Sequence, residues 1–405
     1  MFELKPIFFT LIRSKVGVFL LMLQIAITLA IVANASSIIK SRIDYVMKET
    51  GYPEEQLIRF TTLVFSRDTN LIYLVDETER TLREMEGVAN ATYLNEVPLS
   101  GSGSASSFGI LPVDQRESEE YRQARAAYTG GGIELLDTLG LEVSEGRMFE
   151  PSDVISETER SVAPTSVIVT RDYLNAVYPE GNGLGQSMYI GNEPVKIIGV
   201  VERAMGPWPS DNAAYNVAFF PYRDIGAYQK FVVRTEPGMR EQVIRNLEDK
   251  LLAQFAQRVI MSIEGLDEAK EDQLASDYLM LRMLSVLIIL LVAITALGIF
   301  GMTVFNISKR TKQIGTRRAL GARKSAIVRY FLIETSIVCI AGMVLGAVGA
   351  LIFADVLFNN YSVPAFDPVY IGYTAVFVLI VSLLSVVFPA NRAANISPSI
   401  ATRTI

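Results

Sequence analysis

Four stretches of this sequence are apolar over a length that can cross a bilayer, and a crossing helix needs about 20 such residues. They are Val16 to Ile39, Met283 to Ile307, Val328 to Phe358 and Tyr370 to Pro389. The third is the least clean, since Arg329 and Glu334 lie in its first turns and Asp355 near its end. A mean hydropathy of +0.31 with 50% hydrophobic residues is too apolar for an ordinary soluble protein, and 20% charged residues is too many for a chain buried throughout in lipid. Such a balance implies a membrane protein with a substantial aqueous domain.

Charge is segregated along the chain in a way that sets topology. Residues 40–282, between the first and second runs, hold 39 acids and 24 bases; the remainder holds 4 acids and 13 bases. Lys and Arg in short flanks and loops stay cytoplasmic. Lys5, Arg13 and Lys15 precede the first run, a basic stretch separates the second from the third, and Arg392 and Arg403 follow the fourth. With four crossings all three basic regions fall on the cytoplasmic side, together with both ends of the chain. The expected order is an interfacial amphipathic helix at 1–15, spans at 16–39, 283–308, 328–358 and 370–389, an extracytoplasmic segment at 40–282, a cytoplasmic loop at 309–327, a short outer loop at 359–369 and a cytoplasmic tail at 390–405. The fold class is thus four transmembrane α-helices with a large α/β extracytoplasmic domain inserted between helices 1 and 2. Ala33-Asn34-Ala35 resembles a signal-peptidase site, but the apolar run before it exceeds the 7–15 residues or so of a signal-peptide core, so a retained helix is expected.

Several chemistries lack their residues. The sequence has no histidine and one cysteine, Cys339. That removes the Ser-His-Asp triad, the commonest zinc ligand and any disulfide framework. No G-x-x-x-x-G-K-[ST] phosphate loop occurs. No catalytic or metal-binding residue is therefore assigned, and no cofactor is expected in this chain. The glycine-rich stretches Gly101–Ser107 and Gly130–Gly132 read as flexible loops rather than anion cradles.

The 40–282 segment reads as mixed α and β. Short β-branched runs suggest strands at Phe60–Ser66, Ser166–Thr170, Gln186–Ile190, Val195–Val201, Phe231–Arg234 and Val259–Ile263. Helices are expected at Glu77–Glu86, Arg171–Val177 and Met239–Arg258, the last from Val243, Leu247, Leu251 and Phe255 at every fourth position. Leu274, Tyr278 and Leu281 keep phase with Leu284 and Ile288, and no Pro or Gly interrupts Leu266–Leu297, so one helix is expected to run from the aqueous domain into the membrane. Ile39 and Ile43 extend the first span likewise. Together they suggest a stiff two-helix stalk.

Inside the spans, polar residues such as Gln24, Thr28, Thr295 and Asn306 are of the kind that stitch helices together, while Glu334 and Arg329 can snorkel or pair. Gly342 and Gly346 form a G-x-x-x-G pair that permits close helix contact. A hydrophilic path through the membrane is disfavoured.

Lys309 to Lys324 (KRTKQIGTRRALGARK) carries seven Lys or Arg among sixteen residues and no acid. The positive-inside rule accounts for the charge without nucleic acid. A loop that only set topology would not need Ile314, Ala319, Leu320 and Ala322 among the charges. A short amphipathic helix, with Gly315 and Gly321, suits the docking of a partner.

From here the residues carry a resemblance. Arg310–Gly346 (RTKQIGTRRALGARKSAIVRYFLIETSIVCIAGMVLG) resembles the cytoplasmic loop and third helix of MacB/FtsX-type ABC transporter permeases. Phe388–Arg403 (FPANRAANISPSIATR) resembles the family's closing pattern, with Thr402 where a Leu is usual. Leu135–Asp153 and Ser166–Val201 resemble its periplasmic core domain. The resemblance implies a dimeric permease half, with a second copy or a homologous permease, in a bacterial inner membrane. It implies a separate cytoplasmic ABC ATPase that holds the ATP and Mg. Arg310, Lys312, Gln313, Ile314, Gly315, Arg317, Arg318, Leu320 and Gly321 would be its coupling residues, and the stalk residues Ile43, Leu274, Tyr278 and Leu281 would pass motion to the periplasmic domain. Efflux or export of peptides, drugs or lipid-like molecules is the leading implied function, with a membrane-fusion protein and an outer-membrane duct as possible partners beside membrane lipids. An FtsX-like regulator of a cell-wall hydrolase, a lipoprotein-extraction permease and a peptide sensor are the alternatives. The family loop reads K-E-I-G where this one has Lys312-Gln313-Ile314-Gly315, and losing that acid removes a charged contact with the ATPase, as in one half of a heterodimer.

Overall fold

The computed structural model of the chain describes residues 15–66, 68–157, 163–361 and 365–396. It opens on helix α1 (Lys15–Val46) and a single 3-10 turn (Glu54–Gln56). Next come β1 (Leu57–Val64), α2 (Leu71–Arg83), β2 (Val88–Tyr93), β3 (Ser104–Gly109), β4 (Gln123–Gly130) and α3 (Leu135–Thr138). Then follow β5 (Val143–Gly146), β6 (Ile155–Glu157), β7 (Ser166–Thr170), α4 (Arg171–Val177), β8 (Ser187–Ile190) and β9 (Glu193–Val201). The aqueous part ends with β10 (Val217–Phe220), β11 (Tyr222–Asp224), β12 (Tyr228–Thr235), α5 (Arg240–Gln254) and β13 (Arg258–Gly265). Last are α6 (Leu266–Lys309), α7 (Thr311–Ala319), α8 (Lys324–Tyr361) and α9 (Val369–Ala394). The interfacial helix expected over 1–15 falls outside the described residues save Lys15, which begins α1, as does much of the expected tail.

The chain divides into two compact units, one holding residues up to Val46 and from Asp277 onward, the other Met47–Ser276. Within the segment expected at 40–282, residues 40–46 and 277–282 continue α1 and α6 as helix, as the expected stalk extensions do.

In the helical unit, α1, α6, α8 and α9 are each long and apolar enough to cross a membrane. Lipid tails provide no hydrophobic drive between helices, so small residues that let backbones approach do the packing. A Cβ on Gly342 would stand 2.9 Å from the Met22 carbonyl oxygen, and one on Gly346 would stand 2.7 Å from that of Ala26. The G-x-x-x-G pair is therefore where α8 presses against α1. Polar side chains add fixed points. Gln24 Nε2 donates to the Ile294 carbonyl at 3.0 Å, the Thr28 and Thr295 hydroxyls lie 2.8 Å apart, and Asn34 Nδ2 donates to the Ala350 carbonyl at 3.0 Å. Much of α6 remains exposed, including Met283, Val286, Ile289, Ile294 and Leu297.

In the Met47–Ser276 unit, an antiparallel sheet ordered β13-β1-β12-β2 carries α2 and α5 on one face. Ile58, Phe60, Phe231 and Val233 from the sheet meet Val75, Leu82, Val243, Leu247 and Leu251 from the helices, with Phe60 stacked on Phe231 at 5.3 Å. A second, mixed sheet runs β5-β9-β7-β10-β4-β3-β8, and β8 pairs also with β9, so six of its strands close on themselves. Every residue of β7 is buried, as befits a strand covered on both faces. Leu57, Leu94 and Val232 share one core with Ile168, Val217, Phe219 and the α3 leucines, which joins the two sheets.

Three expectations are corrected here. Gly101–Ser107 and Gly130–Gly132 are not simply loops. Ser104–Gly109 is β3, paired residue for residue with β4, and Gly130 ends β4, where a Cβ would lie 2.1 Å from the Tyr222 carbonyl oxygen. Small residues there serve close backbone approach, and pairing overrides weak strand propensity. The helix expected to reach Arg258 stops at Gln254, and Arg258 instead begins β13 beside Val64. The helix expected at Glu77–Glu86 spans Leu71–Arg83 and starts at Asn70, whose side chain accepts from the Tyr73 N–H at 3.1 Å. The helix that carries the fourth apolar run continues past Pro389 to Ala394, with Val386, Ala390, Ala393 and Ala394 buried along it.

The glycine contacts generate a paired test. Gly346→Ala should cost about 1–3 kcal/mol through overpacking and lower the melting temperature of the detergent-solubilised chain. Gly349→Ala, whose Cβ would meet only the Ala30 Cβ at 3.6 Å, should leave it unchanged or raise it, because Ala is the better helix former.

Candidate functional site

The basic stretch folds as expected for an amphipathic element, and its ends show why. Arg310 stands between α6 and α7, its N–H bonded to the Ile307 carbonyl and its own carbonyl accepting the first helical bond from Ile314. At the other end Gly321, with φ of +91°, reverses the chain: its N–H bonds the Arg318 carbonyl at 3.1 Å, and the Ala322 N–H bonds that of Arg317 at 3.0 Å. This is a Schellman motif, and the left-handed residue it needs is a glycine. Arg318 Nη1 reinforces it by donating to the Ala322 carbonyl at 2.9 Å.

One face of α7 is seated on the bundle. Ile314 and Gly315 are buried, and Ile314 packs in a core with Ile327, Phe331, Val386, Ala390 and Ala393 of α8 and α9. The other face is open. Lys312, Gln313, Thr316, Arg317 and Gly321 are exposed, and Leu320 is 84% exposed. An exposed leucine on a helix that also exposes Lys312 and Arg317 is a surface suited to an acidic-rimmed apolar partner.

An ion pair also meets at the seat. Arg310 Nη1 and Nη2 donate to Glu334 Oε2 and Oε1 at 2.9 and 3.1 Å, with side chains only 14% and 7% exposed. Tyr330, one turn earlier on α8, accepts from Arg310 at 3.4 Å and lies under the Arg317 guanidinium at 5.3 Å. Gln313 lines a small cavity with Arg310, Arg317 and Tyr330.

The residues expected to couple thus divide. Lys312, Gln313, Arg317, Leu320 and Gly321 are on the open face, Arg318 is half-buried, and Ile314, Gly315 and Arg310 face inward. Sequence reasoning missed Glu334 as the partner of Arg310, although an acid within an apolar run signals a partner somewhere. Among the stalk residues, Leu274 is buried within the Met47–Ser276 unit; in the helical unit Ile43 and Tyr278 are exposed and Leu281 is half-buried. Two stalk ion pairs had no local signal: Arg42 with Asp277 at 2.9 Å, and Lys270 with both Glu54 oxygens at 3.0 and 3.2 Å. Among the described residues no cluster of His, Cys, Asp or Glu is placed to hold a metal.

Comparison with known proteins bears on this arrangement. A family model described as MacB-like periplasmic core domain matches residues 15–250, and one described as FtsX-like permease C-terminal matches residues 285–398. The macrolide export ATP-binding/permease protein MacB of Acinetobacter baylyi is 26% identical over 305 residues, 71% of this chain and 44% of that protein. Its counterpart in Bartonella quintana is 24% identical over 337 residues, 78% of this chain and 47% of that protein. The chain thus spans less than half the length of these relatives. The crystal structure of the periplasmic region of MacB from Actinobacillus actinomycetemcomitans aligns with a TM-score of 0.34 at 16% identity, covering 56% of this chain and 96% of that one.

The two faces of α7 predict different costs. Ile314→Ala should destabilise the seat by about 2–4 kcal/mol, read as faster hydrogen exchange of the α7 amides. Leu320→Ala should stay within about 0.5 kcal/mol and leave that exchange unchanged.

Proposed function

Because the chain belongs to the FtsX-like permeases that carry a MacB-like periplasmic core domain, we propose that it is the permease subunit of an ABC transporter. It is a multi-pass membrane protein with a large α/β domain inserted after its first helix. In the proposed orientation α7 and both chain ends face the cytoplasm of a bacterial inner membrane, and the inserted domain faces the periplasm. An ABC ATPase on a separate chain docks on the open face of α7 and supplies the ATP and Mg chemistry; this chain catalyses nothing itself. Closure of the ATPase then moves α7, and the helices that continue beyond the bilayer carry the motion to the periplasmic domain, which expels peptides, drugs or lipid-like molecules.

The observation that carries this reading is α7 itself: an amphipathic helix anchored by Ile314 and Arg310, which leaves Leu320 and a set of cations uncovered. The sparse polar lining of the helical unit supports it: among the described residues the buried polar side chains there are Thr28, Asn34, Thr295, Thr303, Glu334, Thr374 and Ser382, of which Thr28, Asn34 and Glu334 bond another element and Thr303 and Ser382 a carbonyl of their own helix. A cargo crossing through the spans would need more. Continuity of α6 over 44 residues supports a mechanical route.

Co-purification from native membranes tests the proposal. An ABC ATPase should accompany the wild-type chain, and Leu320→Asp combined with Lys312→Glu should reduce its recovery at least about tenfold, as for a central contact residue, while leaving the melting temperature unchanged. Recovery of the permease with no ATPase, or full retention of the ATPase by the double variant, would sink the docking assignment. A cell-wall hydrolase recovered in place of cargo-handling partners would favour a regulator that transports nothing.

A further inference from the structure

The ion pair between Arg310 and Glu334 is harder to explain by stability than by position. Both groups are nearly buried, at 14% and 7% exposure, within a unit whose helices are built for lipid. Taking two charges out of water is costly, and an apolar pair of similar volume commonly holds elements together as well or better. What an apolar contact does not provide is direction. A guanidinium bonded through two nitrogens to both carboxylate oxygens fixes distance and plane together.

Its placement gives that direction a use. Arg310 is the corner residue between α6 and α7, and Glu334 is in the third turn of α8. The contacts of Ile314 with Ile327 and Phe331 at the seat are apolar, and apolar contact is non-directional. Tyr330, on the same face of α8 as Glu334, is held by Arg310 and overlain by Arg317, so α8 is gripped from both ends of α7. Gln313 beside them is neutral, and among the described residues Glu334 is the carboxylate paired with Arg310. Two turns further along, α8 meets the backbone of α1 at Gly342 and Gly346.

We propose that Arg310 and Glu334 are positioning residues which lock the register of α7 on α8, so that a displacement of α7 moves α8, and with it α1, as one body. The assignment deepens the transporter reading above and rests on it for its role in a cycle. Each side chain acts through the helix it holds.

The test uses the full chain in lipid nanodiscs, with Cys339→Ala removing the native thiol. Spin labels at Ala319→Cys on α7 and Ile340→Cys on α8, both exposed positions, report the distance between the two helices. The parent should give a single narrow distance distribution. Glu334→Gln should broaden it or add a second population, and the exchange Arg310→Glu with Glu334→Arg should restore the narrow one. The decisive variant is Arg310→Met with Glu334→Leu, which should keep the parent's melting temperature yet broaden the distribution. If that apolar double variant stays as narrow as the parent, the pair is structural only and the proposal is overturned; an unchanged Glu334→Gln does the same. No ATPase enters this measurement, so a failure of the docking reading leaves its outcome independent. With the ATPase bound, the apolar double variant should retain the ATPase while losing the permease-dependent change in its ATP turnover at least tenfold. Normal coupling with a broadened distribution would remove the role in the cycle.

Discussion

The helical unit depends on the approach of two backbones, α8 on α1, at Gly342 and Gly346. In lipid an apolar side chain gains nothing by leaving its surroundings, so helices associate through close packing and through polar groups that have nowhere else to bond. Both devices are present in one place. A Cβ on either glycine would stand within 3 Å of an α1 carbonyl oxygen, at 2.9 and 2.7 Å, and Asn34 of α1 bonds across to the Ala350 carbonyl of α8. On the other side of α1, Gln24 and Thr28 hold α6, whose outer surface stays apolar and exposed. With α1 fixed between them, the connection between α6 and α8 has a constrained span to bridge.

That span is bridged by α7, and its sequence reconciles two demands. One face is held, with Ile314, Gly315 and Arg310 turned inward, and the other carries Lys312, Arg317 and Leu320 outward. The Schellman turn at Gly321 allows the reversal into α8 within a few residues. Gln313 lines the same small cavity as Arg310 and Arg317. It is neutral, and the Arg310 charge is met by Glu334.

Much of the architecture was legible because its causes are local. Length and hydropathy identify the four helices, and the unbroken run from Leu266 identifies α6 as a single long helix. Alternation and β-branching identify β7, β9 and β12. What escaped were elements made by pairing rather than by propensity. β3 is Ser, Ala and Gly apart from Phe108, and becomes a strand only because β4 lies alongside it. The stalk ion pairs join residues far apart in sequence, Arg42 to Asp277 and Glu54 to Lys270, with no periodicity to announce them.

The sequence by itself determined the number and order of apolar helices, the inserted aqueous domain, the separation of charge and the two-faced character of the loop at Lys309–Lys324. Each follows from transfer free energies and helical periodicity, which act over a few turns of chain. Only the tertiary structure decided which charge Glu334 would meet, which backbone Gly342 and Gly346 would approach, and which of the basic residues would be left facing out. Those outcomes depend on which distant groups share an environment of low dielectric, where an unpaired charge or an unfilled gap is costly enough to select one arrangement.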